Sequence, residues 1–201
     1  MRKIAAVSAI ILSLMTMTSC AGSNKKIEDT FSTVCSADEA LALAKSSGAV
    51  VFEFQGCTSG QDVWDAFYKD VSAGKAASVL CARYYTLDKE GVSEELYEQE
   101  KDQYPQLYFN LLKFDGKTYS VETRLSTEQK AESEETYAYL QHYTGDAPTK
   151  DALYEKYEYY VLTDDKDVTW DEISRSMFSS SSPDFIRHCM VYDNYTGWKG
   201  N

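Results

Sequence analysis

The chain has 201 residues, 32 of them acidic against 20 basic, for a formal net charge of -12, and it contains only two histidines, His142 and His188. An acidic surplus of that size repels nucleic acid and anionic headgroups, so no nucleic-acid partner is expected. Two histidines and no C-x-x-C pair argue against a structural zinc site, and the length suits one domain with its own core.

In chain order, the first segment reads as an export signal. Arg2 and Lys3 precede an apolar stretch of fourteen residues, Ile4 to Met17, shorter than the roughly 20 residues of a spanning helix. That profile predicts a signal peptide over residues 1–19. Met17-Thr18-Ser19-Cys20, followed by Ala21-Gly22, resembles the lipobox of bacterial lipoproteins, with Met17 in place of the usual Leu. The resemblance implies that the Cys20 thiol is diacylglycerylated, that the bond before it is cut, and that Cys20 becomes the lipidated N-terminus, a site of palmitate attachment. A thiol is required because only a good nucleophile takes up the glyceryl group as a thioether. Cleavage removes Arg2 and Lys3 and no acid, so the 182 residues from Cys20 to Asn201 carry a charge of -14 instead of -12. Residues 20–35 are small and polar and read as a lipidated N-terminus with a flexible tether. Residues 36–201 read as a single extracytoplasmic domain, and no later run is long enough to span a membrane.

Within that domain, Ser36 and Glu39 form a capping box and Gly48 a stop, predicting a helix over 37–46. The β-branched and aromatic run at 49–54 predicts a strand, a Gly-bounded loop "QGCTSGQ" follows, and Val63, Trp64, Phe67 and Val71 then recur at helical spacing up to Gly74. Residues 76–87 alternate like a strand and 93–104 suit an acidic, solvated helix. Asp115-Gly116 between two β-prone runs predicts a two-residue type I′ hairpin. Residues 125–134 read as a loop, and "TYAYLQHY" and "LYEKYEYYVL" as two strands. Thr169 and Glu172 form a second capping box, "SSSSP" breaks that helix, and a strand around "FIRHCMVY" closes the chain. The expected fold is α+β, a single domain with a largely antiparallel sheet of about six strands and three or four helices.

The stretches "TSGQDVWDAFYKDVSAGKAASVLCARYYTL", "YPQLYFNLLKFDGKTYSV" and "YYVLTDDKDVTWDEISRSMFSS" resemble a group of uncharacterised surface lipoproteins of Gram-positive bacteria. The resemblance covers most of the mature chain and implies one extracytoplasmic domain on a lipid anchor at the cell membrane, with no particular activity.

Candidate chemistry is sparse. Cys35, Cys57, Cys81 and Cys189 allow three disulfide connectivities in an oxidising compartment, and the spacing does not choose among them. Cys81, in an alternating strand, suits burial as a small apolar residue. Cys57 stands between a strand and a helix, where a helix N-terminus would stabilise its thiolate. A thioredoxin-like domain has this order and a later proline before a hairpin, matched by Pro105. Gly60 stands where that family has its resolving cysteine, and Gly56 where it usually has an aromatic. The acid run from Thr163 to Glu172 fails as an EF-hand, since counting from Asp165 the sixth and twelfth places hold Trp170 and Ser176. A turn into a capped helix explains the same acids. The sixteen tyrosines cluster at 137–143 and 154–160, where they suit either strand packing or a binding face. No nucleophile elbow, phosphate loop or selectable glycosidase pair is present.

Two functions follow from these residues, beside a purely structural envelope component that would show no soluble ligand. The first is a non-catalytic domain, without cofactor or metal, that binds an envelope or extracellular ligand. The alternative is a thiol-dependent redox protein using Cys57. On the lipobox resemblance, Cys20→Ser abolishes incorporation of labelled palmitate and leaves an uncleaved precursor on a gel. Unchanged acylation in that variant would overturn the anchor.

Overall fold

The computed structural model describes residues 20–179 and 185–199, with side chains from residue 25. The expected signal peptide at 1–19 lies outside the described residues, as does most of the "SSSSP" break. In order, the elements are α1 (Cys20–Ser32), α2 (Ala37–Ser47), β1 (Val50–Glu53), β2 (Gly56–Ser59), α3 (Gln61–Ser72), β3 (Ala77–Tyr85) and α4 (Glu94–Glu100). There follow β4 (Gln106–Phe114), β5 (Tyr119–Leu125), β6 (Ser133–Tyr137), β7 (Tyr139–Asp146), β8 (Lys156–Thr163), α5 (Trp170–Met177) and β9 (His188–Thr196).

The expectation of an α+β domain with about six strands and three or four helices is corrected. Among the described residues there are nine strands in one curled, half-barrel sheet and five α-helices, with 37% strand against 29% helix, so the sheet dominates. Three elements escape the sequence pattern for physical reasons. β2, "GCTS", has too little apolar surface to signal a strand, yet it folds back on β1 as a hairpin. β6, "SEETY", is an edge strand with one ladder neighbour, and its polar residues face solvent. α1 has only Ile27 and Phe31, four residues apart, to make an apolar stripe, so a segment that reads as a tether is a helix packed on α2 and the sheet.

Other signals hold. Both capping boxes form, Ser36 with Glu39 and Thr169 with Glu172, and Gly48 closes α2 in the left-handed region. The Asp115-Gly116 turn forms as a four-residue connection instead of a two-residue type I′ turn. Asp115 keeps a negative φ, and its carboxylate accepts the backbone N–H groups of Lys117 and Thr118, both at 2.8 Å.

The strand order is β6-β5-β4-β3-β1-β2-β9-β8-β7. β1 and β3 are parallel and every other pairing is antiparallel. The segment expected as the single strand "TYAYLQHY" bends at Ala138 into β6 and β7, which form the two opposite edges of the sheet. A single residue thus joins the borders, which requires the sheet to curl. Arg187 staples this corner. It donates to Asp164 (2.9 Å from Nε) and to the Thr136 carbonyl (2.5 Å), and lies 4.1 Å from the centroid of the Tyr137 ring.

On one face, α3 contributes Trp64, Phe67 and Val71 to a core with residues from β1, β3, β4, β5, β8 and β9. On the other, α1 and α2 cover β1, β3 and β4, while α5 covers β8 and β9. The weak line of the sheet is between β2 and β9, which share one register pair, Gly56 with Asn194. Gly56 has φ 91°, and a Cβ there would lie 3.0 Å from Asn194 Cα, so the approach requires glycine. Side chains bridge the line: Trp64, fully buried, stacks on Tyr192 of β9 at 4.7 Å and meets Tyr160 of β8 edge-on at 5.1 Å.

α1 is fixed at its C-terminal end by Arg124, which is 1% exposed. This guanidinium donates to the carbonyls of Phe31 (2.6 Å) and Thr33 (2.8 Å) and to that of Glu128 (2.5 Å). Earlier in the helix, Glu28 lies 3.9 Å from Lys113, near the far end of β4 from Gln106. The helix therefore runs along β4 toward the start of that strand, and its first residue, Cys20, lies at the opposite pole. Trp64→Ala is expected to lower the unfolding free energy by about 3–5 kcal/mol in chemical denaturation. A loss below about 1 kcal/mol would show that the halves of the sheet hold together without that ring.

Candidate functional site

β1, β3 and β9 run in the same direction, and β4 and β8 run against them, so five strand ends meet at one pole of the sheet. The residues placed there are Phe54 after β1, Tyr84 and Tyr85 at the end of β3, Tyr104 before β4, Tyr154 before β8, and Tyr195 and Trp198 at and beyond the end of β9. Phe54 is 75% exposed and Tyr85 46%, a large apolar area left in water. Exposed clusters of this kind mark interaction sites more often than single exposed apolar residues do.

Between these rings is a cavity of about 310 Å³ walled by Phe54, Tyr84, Tyr85 and Tyr195, with Arg83, Asp193 and Phe52 at its base. Arg83 Nη1 donates to Asp193 Oδ1 at 2.5 Å, and the guanidinium lies 4.3 Å from the Phe52 ring centroid. Burial alone would lower the Arg83 pKa, but the charge and hydrogen bond of Asp193 outweigh it and the net direction is up. The pair joins β3 to β9 across the weak line of the sheet. Each charge is tolerable there only because of the other, and breaking a buried pair of this kind costs about 3–5 kcal/mol.

Two further depressions adjoin this cavity. One, of about 200 Å³, shares Phe54 and Tyr195 and adds Leu153, Tyr154 and Trp198. The other, of about 340 Å³, shares Tyr84 and Thr86 and is lined by Tyr97, Tyr104 and Pro105. The Tyr84 hydroxyl donates to Asp38 at 2.7 Å. At the rim, Glu53 accepts from Thr58 (2.6 Å) and Lys45 (3.2 Å). The Thr58 bond, against the opposing effect of burial and with help from Lys45, holds that carboxyl below the usual range.

The residues singled out by sequence are elsewhere. Cys57 lies within β2 and Gly60 is the N-cap of α3, so the helix start does not act on the thiol directly. Its Sγ donates to the Ser59 carbonyl at 3.5 Å, and burial pushes its pKa up, the direction opposite to activation. Burial also pushes Cys81 up to about 12 and Cys189 up to about 11, and raises Cys35. All four are free thiols. Cys57 and Cys81 are register partners of Phe52 and Val50 on either side of β1, and two strand spacings with a two-residue offset separate their backbones by about 11–12 Å, beyond disulfide reach. Pro105 follows a cis peptide bond, but its strand β4 pairs with β3, so β3 and β1 separate it from the Cys57 strand.

The acid run at 163–172 forms a turn and a cap. Asp165 accepts the Asp167 N–H at 2.9 Å and Thr169 caps α5. Among the described residues no group of three His, Cys, Asp or Glu side chains could hold a metal ion, and no helix is long and apolar enough to cross a membrane. Of the tyrosine clusters, Tyr137, Tyr159 and Tyr160 are buried in the core, and Tyr154 alone of the 154–160 group lines the groove. His142 bonds Glu158 at 2.8 Å and stacks on Tyr160. Sequence reasoning misses Phe54, Tyr85, Tyr195 and Trp198, whose shared signal is a bulky aromatic beside a turn at a strand's end.

No protein-family model, no curated protein and no solved structure matches this chain. Because the Cys57 pKa is raised, its thiolate fraction near neutrality is small. Iodoacetamide labelling at pH 7.5, located by mass spectrometry, should run slower at Cys57 than at an unburied thiol, with its rise displaced to higher pH, and labelling as fast as that of an unburied thiol would overturn the direction.

Proposed function

We propose that the protein is a lipid-anchored domain at the extracytoplasmic face of the cell membrane that binds an envelope or extracellular ligand, without catalysis, in the aromatic groove at the end of its sheet. The observation that carries this reading is the convergence of aromatic rings, two of them exposed and the rest half-buried, from the ends of β1, β3 and β9 around one buried ion pair. A fold gains nothing in stability from leaving Phe54 and Tyr85 in water, and a ligand that covers them gains their apolar area. The anchor rests on the residues around Cys20. The course of α1 supports the combination, because an acyl chain at Cys20 would attach at the pole opposite the groove. Residues 26–32 of the helix lie against the domain, so only its first turns would stand between anchor and body, and the groove would point away from the bilayer.

The thiol-redox alternative draws no support from the surroundings of Cys57, where burial works against ionisation. The groove also explains why a ligand would steady the fold, since its walls come from both sides of the β2–β9 line. In a thermal-shift screen of short oligosaccharides and peptides, a ligand at 100 times its Kd adds about 2.7 kcal/mol. For a chain of this size that raises Tm by about 5–10 °C. Phe54→Ala removes the shift and leaves the unliganded Tm within about 1 °C of the parent, as expected for an exposed side chain. A shift that survives Phe54→Ala and Tyr85→Ala together would place binding elsewhere and overturn the reading.

A further inference from the structure

We infer that the ligand of the groove is an uncharged oligosaccharide of several sugar units, an assignment that rests on the binding reading above. Three observations lead to it. First, the groove is a row. The central cavity shares Phe54 and Tyr195 with the depression on one side and Tyr84 and Thr86 with that on the other. Three adjoining depressions suit an elongated ligand with repeated units better than one compact molecule.

Second, the charges along the row are already engaged within the protein. Arg83 is paired with Asp193 at 2.5 Å, Glu53 with Lys45 at 3.2 Å, and Lys101 with Glu98 at 2.5 Å, while Asp38 accepts the Tyr84 hydroxyl. A carboxylate, phosphate or ammonium ligand in the central cavity would have to break the buried Arg83–Asp193 pair or enter without a counter-charge; the Lys45–Glu53 and Lys101–Glu98 pairs are exposed and resist less, and the chain's net charge of -12 adds to the cost for an anion. A neutral ligand meets no such penalty.

Third, what the row does offer is aromatic surface, with Tyr85 and Tyr104 bringing hydroxyls to it while those of Tyr84, Tyr154 and Tyr195 are engaged within the protein. Trp198 meets Phe54 edge-on at 5.5 Å, Tyr154 packs on Tyr195 at 4.5 Å, and Tyr85 stands at the opposite wall. A pyranose ring has an apolar C–H face and an equatorial belt of hydroxyls, the complement of a ring with a polar tip. A peptide that binds by adding a strand to the sheet needs an exposed strand edge. The edges of this sheet are β6 and β7, whereas the groove crosses strand ends.

The test is a titration of the full mature protein in detergent, followed by tryptophan fluorescence and calorimetry. The probes are cellohexaose, maltohexaose and chitohexaose, the polyanion hexagalacturonate, and uncharged N-acetylated, amidated hexapeptides of Gly, Ser and Tyr. The expected result is saturable binding of at least one neutral hexasaccharide. It should be at least tenfold tighter than hexagalacturonate, weakened tenfold or more by Trp198→Ala and by Phe54→Ala, and weaker for the matching disaccharide. Equal binding of hexagalacturonate overturns the uncharged assignment. Binding of the peptides alone, sensitive to Phe54→Ala, overturns the saccharide and leaves the groove as a binding site. Silence from every probe, with parental circular dichroism and unfolding for both variants, overturns the saccharide and the groove together.

Discussion

The nine-stranded sheet holds together at β2–β9 by side chains more than by backbone. One register pair, Gly56 with Asn194, links six strands on one side to three on the other. Trp64 compensates: carried in by α3, it stacks on Tyr192 and meets Tyr160, so one ring packs on both strands beyond the line while its own helix packs on β1 and β3. Phe52 on β1 adds a second aromatic contact with Tyr192, edge-on at 5.4 Å. The burial of apolar area by these rings imposes no ladder register, which lets the sheet curl where a regular ladder would hold it flatter.

The same line decides where a groove can form. Where β9 leaves β2, Arg83 reaches from β3 to Asp193 and toward the Met190 carbonyl at 3.5 Å. The ion pair closes the base of the opening and the rings of Phe54, Tyr85 and Tyr195 form its walls. Structure and proposed function thus share residues: a pair that fastens two parts of a sheet is also the polar base of the proposed binding site. Its mutual neutralisation is what would make such a site select against charge.

The second buried arginine follows a different logic. Among the described residues Arg124 has no carboxylate partner and is satisfied by carbonyls from the end of α1 and from the turn after β5, with its guanidinium 5.4 Å from the rings of Phe31 and Phe109. Burial lowers its pKa without threatening its charge. The effect is to tie the N-terminal helix to the body of the domain. A segment whose composition suits a tether is instead held in a defined direction along β4.

By itself the sequence determined the local features: both capping boxes, the left-handed stop at Gly48, the strands at 50–53, 77–85 and 156–163, and the helix carrying Trp64. These depend on residues within one turn or one strand of each other, so spacing alone reveals them. The candidate lipid anchor at Cys20 is of the same kind, a linear pattern. Tertiary structure alone decided the rest. β2 and β6 exist because neighbours supply the ladder, α1 is ordered because Arg124 collects its carbonyls, and Ala138 bends one expected strand into the two edges of a sheet. The groove residues 54, 85 and 154 and the pair 195 and 198 come from distant parts of the chain. They meet because β1, β3 and β9 end and β8 begins at one pole, a property of strand direction that no local pattern contains.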